Sequence, residues 1–247
     1  MVTRSPFQGV VNVVQFNLRF YLLALITCTA LALLAVFSAD PLLRIVAWIA
    51  CGSSLVPTVV SLIITHLIYD RSNLYQLPWL ESSEKRFQLA QIHAGFDECT
   101  PQLKQLFPNA TIVEFDFFNE KNQTEPSIKK ARQKYPPSPN TISISYRHIP
   151  LADASTEIVH LMFAAHEIRN HEERSVFLNE CSRVLKSEGR IYIIEHLRDP
   201  WNFLAYTIGF FHFHSLQTWK QNFAEAGLKI ERIQNITPFV HCFILNK

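Results

Sequence analysis

The sequence predicts an α/β protein: a doubly wound, mostly parallel seven-stranded sheet with a C-terminal antiparallel hairpin, preceded by two transmembrane helices. Three observations carry this prediction. Two long uncharged apolar runs lie before residue 70. Beyond residue 86, short β-rich runs alternate with amphipathic helical stripes, the pattern of strands joined by helical crossovers. The last two β-rich runs are separated by little more than Thr237-Pro238, too short for a parallel crossover, so they should pair antiparallel.

Phe20 to Ala39 is the first apolar run, twenty residues without a charge. At about 1.5 Å per residue it spans about 30 Å, the thickness of a bilayer core. Ile45 to Tyr69 is the second, and membrane helices tolerate its Gly52 and Pro57. The short connection Asp40 to Arg44 makes the pair an antiparallel hairpin. A cleaved signal peptide or a buried soluble hairpin would resemble it. Against both stand the nineteen residues ahead of the first run and the length of the second. Arg4 and Arg19 flank the first helix, Arg71, Lys85 and Arg86 follow the second, and the loop carries only Arg44. This asymmetry places both termini in the cytoplasm. The expected organisation is an anchor over residues 1–71, a linker over 72–85 and a domain over 86–247. His66 and the Trp79 of LPWL are expected at the membrane interface. The protein would be integral to the membrane, with its domain on the cytoplasmic face.

Within the domain, Phe87 to His93, Ala110 to Phe118, Thr141 to Ser145, Glu157 to Ala164 and Arg190 to Glu195 read as strands. Pro101 to Phe107 reads as a helix capped by Thr100, and Glu125 to Tyr135 as one capped by Thr124 and ended by Pro136-Pro137. Val176, Phe177, Cys181, Val184 and Leu185 form the apolar stripe of a helix over Glu172 to Leu185, with Gly189 ending that element. Leu216 to Ala226 is amphipathic and stopped by Gly227. Trp201 to Phe213 is aromatic but not a regular helix: a cap over the core, a wall for a lipophilic ligand or a contact with the bilayer. Lys229 to Ile236 and Val240 to Leu245 are the final strands.

A net charge of +2 gives no basis for binding nucleic acid through phosphates. Five dispersed cysteines without C-x-x-C spacing argue against a disulfide framework or a cysteine zinc site. The chain has few glycines, six in all, which matters for any nucleotide-binding loop.

Residues 86–247, and above all HIPLADASTEIVHLMFAAHEIRNHEERSVFLNECSRVLKSEGRIYIIEHL, resemble class I S-adenosylmethionine-dependent methyltransferases with a Rossmann-like fold, of the ubiquinone and menaquinone type. Ile149-Pro150, Asp153, Ser155, Glu157, Arg183-Val184-Leu185-Lys186 and Gly189 fill the family's places. The resemblance implies an enzyme with S-adenosylmethionine as cofactor. The loop after the first strand, aligned as Gln91, His93, Gly95 and Asp97, keeps only the middle glycine of the family's three. Asp116 stands where the family's acid meets the ribose hydroxyls, and Ser145 where an acid would meet the adenine. A similar first loop, with His-Glu after the fourth strand, occurs in the methyltransferase-like rhodoquinone-forming enzyme.

Ligands of open parallel sheets bind beyond the carboxyl ends of the strands. His93, Gly95, Asp97, Asp116 and Pro150 are therefore the cofactor-binding candidates. Asp97 and Glu98 would serve equally to cap the helix beginning near Pro101. His166, Glu167 and His196 are the catalytic candidates, since an imidazole suits proton transfer near neutral pH. Each could instead be a hydrogen-bonded structural group. His166, Glu167, His196, His212 and His214 could supply a two-histidine, one-carboxylate metal set, but without helical His-x-x-x-His spacing no metal is expected. The expected activity is methyl transfer to a hydrophobic, membrane-resident small molecule such as a quinone precursor, phenolic lipid or polyene. The expected partners are the lipid bilayer and that lipophilic acceptor. Other chemistry on a quinone-like lipid, or a non-catalytic relative of the fold, stays open.

Overall fold

The computed structural model describes residues 4–119 and 126–247. A short helix, α1 (Gln8–Phe16), precedes two long apolar helices, α2 (Leu18–Phe37) and α3 (Pro41–His66). Asp40 begins α3, its carboxylate accepting the N–H of Leu42, with Pro41 in the first turn. α2 and α3 pack side by side. Their apolar side chains face outward, Phe37 80% and Ile26 65% exposed, so neither is the core helix of a soluble domain. A π-helical turn, Leu67–Arg71, and a 3-10 turn, Leu74–Gln76, carry the chain onto the sheet.

The domain runs β1 (Gln88–His93), α4 (Thr100–Leu106), β2 (Thr111–Asp116), α5 (Pro126–Lys134), β3 (Ile142–Ser143), β4 (Thr156–Met162), α6 (His171–Val184), β5 (Leu185–His196), α7 (Pro200–Tyr206), α8 (Leu216–Glu225), β6 (Lys229–Thr237) and β7 (Val240–Asn246). The seven strands lie in the order β3-β2-β1-β4-β5-β7-β6. β1 to β5 are parallel, and β7 is antiparallel to both β5 and β6, the hairpin the sequence predicts. The cap expected at Thr124 lies outside the described residues. Thr100 is the first residue of α4 rather than its cap, with Cys99 preceding it.

One face of the sheet is covered by α6 and α8. Asn170 caps α6 at the N–H of Glu173, and Phe177, Leu178, Cys181 and Val184 point inward. Ser215 caps α8 in the same way at Thr218, and Trp219 and Phe223 close this core. The other face is covered by α4, α7 and the chain that leaves α3. Ile64, Ile68, Leu74, Leu77, Trp79 and Leu80 join Leu89, Leu103 and Ile194 in a second core.

Within the expected linker over 72–85, Leu74, Leu77, Trp79 and Leu80 pack onto the sheet. Its Trp79 is 4% exposed and stacks on His160, with ring centroids 6.1 Å apart, instead of lying at a membrane interface. The central strands are buried on both faces, so a large apolar surface awaited the segment beside them, and burial there outweighs exposure. Trp201 to Phe213 is also more regular than expected, forming α7 and a 3-10 turn, Thr207–His212. Gly189 does not end an element but lies within β5. A Cβ there would come 2.8 Å from the carbonyl oxygen of Glu157, so only glycine permits the strands to approach so closely.

Candidate active site

β1, β4 and β5 end side by side, and a cavity of about 260 Å³ opens over their carboxyl ends. Ala94, Asp97, Met162, His166 and His196 line its floor. Its roof is the N-terminal region: Gly9, Val13 and Phe16 of α1, with Tyr69 and Tyr75 beyond α3. α1 is held there by Asp70, whose carboxylate accepts the N–H of Gly9 at 2.6 Å. Nothing in the short QGVVNVVQF stretch announces this role, because its partner is sixty-one residues away.

His166 follows β4 and Glu195 lies near the end of β5, so parallel pairing brings them together. His166 Nδ1 donates to Glu195 Oε2 at 2.6 Å, and its backbone N–H to Oε1 at 3.2 Å. Its Nε2 lies 3.3 Å from Glu167 Oε1. Burial opposes a charge on His166, but Glu195 and Glu167 overcome it and raise its pKa to about 10. Burial also works against the Glu167 carboxylate, yet the bond from His166 keeps its pKa below the ordinary value.

His196 behaves oppositely. Burial lowers its pKa to about 4, so the ring is neutral. Its Nδ1 lies 2.9 Å from the carbonyl of Phe239, which can only accept, so the proton sits on Nδ1. Nε2 then accepts from the hydroxyl of Tyr69 at 2.8 Å. Phe163 and Phe213 stack on its two faces with centroids 4.9 and 4.8 Å away. Tyr69 was not foreseen as a site residue, since it lies in the apolar run that reads as a membrane helix.

The cofactor-binding candidates are dispersed differently. Asp97 lines the cavity and also accepts the N–H groups of Cys99 and Thr100 at 2.9 and 3.2 Å, at the start of α4. A buried relay supports it: Trp79 donates to His160 Nε2 at 3.4 Å, His160 Nδ1 bonds Gln91 Oε1 at 2.7 Å, and Gln91 donates to Asp97 at 3.1 Å. Asp116 and His93 end adjacent strands and face each other across 3.6 Å, but neither lines the cavity. Asp116 Oδ1 accepts the N–H groups of Gly95 and Phe118, each at 2.9 Å, while Oδ2 pairs with Arg132. Gly95 has φ of +92°, and a Cβ there would lie 2.9 Å from the Phe118 ring. What approaches this glycine is thus a side chain of the protein itself. Pro150 is exposed in the loop before β4 and does not reach the cavity. The loop turns outward there, while its buried neighbour Ile149 anchors it to the core.

A nucleoside cofactor fits this arrangement in part as it stands. The methionine end has room over Ala94, Asp97 and Met162. At the ribose end both ring nitrogens of His93 are buried without a hydrogen-bond partner among the described residues, an unmet polar demand that hydroxyl groups would satisfy. Arg132 and Phe118 cover Asp116 there and must yield. Arg132 is the cation of that closure and retains 29% of its side-chain exposure, so it has water to move into.

Residues 94–193 match the family profile described as "Methyltransferase domain". No curated protein matches the chain by sequence. A S-adenosylmethionine-dependent methyltransferase from Aquifex aeolicus has TM-score 0.51 at 15% identity, over 76% of this chain and 97% of that one. An O-methyltransferase family 2 protein from Planctomyces limnophilus, in complex with apigenin, has TM-score 0.52 at 15% identity, over 85% and 70%. At such identity these likenesses show the fold. Profile match and fold agree on a methyltransferase domain with a Rossmann-like scaffold over this part of the chain.

Proposed function

We propose that the chain transfers a methyl group from S-adenosylmethionine to a hydrophobic small molecule resident in the membrane, such as a quinone precursor, phenolic lipid or polyene. The observation that carries this reading is the cavity: its floor is the strand-end rim and its roof is the chain that enters and leaves the apolar hairpin. α2 and α3 have the length and hydropathy to cross a bilayer. α3 packs against α7, whose neighbourhood exposes Trp201, Phe203, Leu204, Ile208 and Phe211. That apolar patch beside the hairpin suits contact with the lipid surface, and the basic residues flanking the hairpin favour a cytoplasmic orientation of the domain.

When bound, the sulfonium supplies an already activated methyl group, so the protein has to position the acceptor and manage one proton. His196 presents its Nε2 lone pair to the cavity and would take the proton of an acceptor hydroxyl after displacing Tyr69. His166, held protonated by two carboxylates, would orient an acceptor oxygen by turning its Nε2–H from Glu167 to it. The aromatic walls Phe163 and Phe213 suit a flat ring.

The cover over Asp116 favours a second reading, a relative of the fold that performs other chemistry or none. Calorimetry on the detergent-solubilised full chain separates the two. Methyl transfer requires saturable binding of S-adenosylmethionine and its demethylated product. No heat at millimolar ligand leaves only the second reading.

A further inference from the structure

We propose that His166, Glu167 and His212 form a binding site for one divalent first-row transition-metal ion at the edge of the cavity. The three residues converge from separate stretches of chain: the turn after β4 supplies two, and the 3-10 turn after α7 supplies the third. One ligand atom from each lies within 4.8 Å of the others. His166 Nε2 is 3.3 Å from Glu167 Oε1, and His212 Nε2 is 3.6 Å from the same oxygen. Around an ion with bonds of about 2.1 Å, neighbouring ligands stand about 3.0–3.4 Å apart and opposite ones about 4.2 Å. Two of the three separations are therefore already close to those of a bound ion.

A second observation points the same way. Glu195 has no exposed surface and takes up His166 Nδ1, leaving Nε2 aimed at Glu167. A carboxylate behind the ligating imidazole is the usual support of a metal-bound histidine, fixing its ring and its tautomer. Charge completes the picture. Two carboxylates, Glu195 and Glu167, face one small cluster. The guanidinium of Arg169 contacts the ring nitrogens and the carbonyl of His212, and the charge of Arg174 acts on Glu195. Arg169 is exposed to solvent. An ion would take the place of the guanidinium at His212.

Two imidazoles and one carboxylate select manganese, iron, cobalt or zinc over calcium or magnesium, and three ligands leave coordination positions open. His166 lines the cavity, so an open position faces the space where an acceptor would lie. There the ion would hold a hydroxyl or carbonyl oxygen of the acceptor. That role rests on the methyltransferase reading; the site itself does not.

The test uses untagged full-length protein in detergent, stripped with a chelator and titrated with Mn²⁺, Co²⁺ or Zn²⁺. Bound metal is read by elemental analysis, and Co²⁺ by its ligand-field spectrum. We expect one ion per chain, at least a ten-fold weaker affinity in His212→Ala, and tighter binding in Arg169→Ala. Melting curves confirm that His212→Ala is folded. No stoichiometric uptake by the wild type, or unchanged affinity in His212→Ala, overturns the site. Titration with the demethylated cofactor is scored separately. Metal without cofactor binding leaves the site standing and defeats methyl transfer; cofactor without metal does the reverse.

Discussion

The two halves of the strand-end rim use the same residue types to opposite ends. Beyond β1 and β2, the carboxylate of Asp116 is spent on the protein itself. Asp116 ties the loop to the strand through Gly95 and Phe118 and holds Arg132 across its outer oxygen. Beyond β4 and β5, each histidine is fixed through Nδ1 from behind, by Glu195 or by the Phe239 carbonyl, and keeps Nε2 at the cavity. A carboxylate whose bonds are all internal is a clasp. A histidine held from behind, whose second nitrogen meets Tyr69 or Glu167 at the cavity, can exchange that partner for a ligand. The comparison teaches that strand-end position selects candidates, while the direction of their hydrogen bonds decides which are poised to act.

The open half gives the strongest prediction. Glu195→Ala strands the charge of His166 in a buried place and should destabilise the protein by about 3–5 kcal/mol. Chemical denaturation in detergent reads it, and a loss below about 1 kcal/mol would mean that Glu195 is no anchor.

The relay between the halves should be acid-sensitive. Burial holds His160 at a pKa of about 4, below the unfolded value of about 6.5. The unfolded chain therefore takes up a proton that the folded one refuses. Stability from this group is complete above about pH 6.5 and declines as pH falls toward 4. Between pH 7 and 5 the loss is about 2 kcal/mol. His160→Gln should flatten that dependence, and a variant that loses stability as steeply as wild type removes His160 from the account.

The closed half is tested by Arg132→Ala. If the guanidinium covers a ribose site, its removal should tighten binding of the demethylated cofactor by about ten-fold, or ~1.4 kcal/mol. Weaker binding would show instead that Arg132 is part of the receptor. The smallest effect belongs to the roof. Tyr69→Phe removes the hydroxyl from His196 and should cost about 1 kcal/mol. A stability indistinguishable from wild type would mean that the contact between the hairpin end and the site contributes nothing.

Much of this was legible beforehand, for identifiable reasons. Buried parallel strands such as Arg190 to Glu195 are near-continuous apolar runs, and their termini necessarily meet on one edge, so His166 and Glu195 could be expected near each other. The hairpin of β6 and β7 followed from loop length. Asp97 was open to two readings because a carboxylate three residues ahead of a helix can bond its first N–H groups and face a ligand at once. Other features had no local signal. Trp79 reads the same beside a bilayer as beside a sheet. α1 has no side-chain cap, and the Asp70 that holds it lies sixty-one residues away. Pro150 matches its family motif while lying outside the cavity, because a motif records sequence and not distance.

By itself the sequence determined what short-range physics controls: which runs can be strands or helices, the apolar hairpin, the handful of polar residues at strand ends, and the scarcity of glycine in the first loop. Only the tertiary structure decided what those polar residues do, because hydrogen-bond direction depends on partners far away in the chain. Tyr69 reaches His196 across 127 positions, and the Phe239 carbonyl sets that imidazole's tautomer from another hairpin. No window of sequence contains both members of such a pair, so packing alone fixes which lone pair is left facing the cavity.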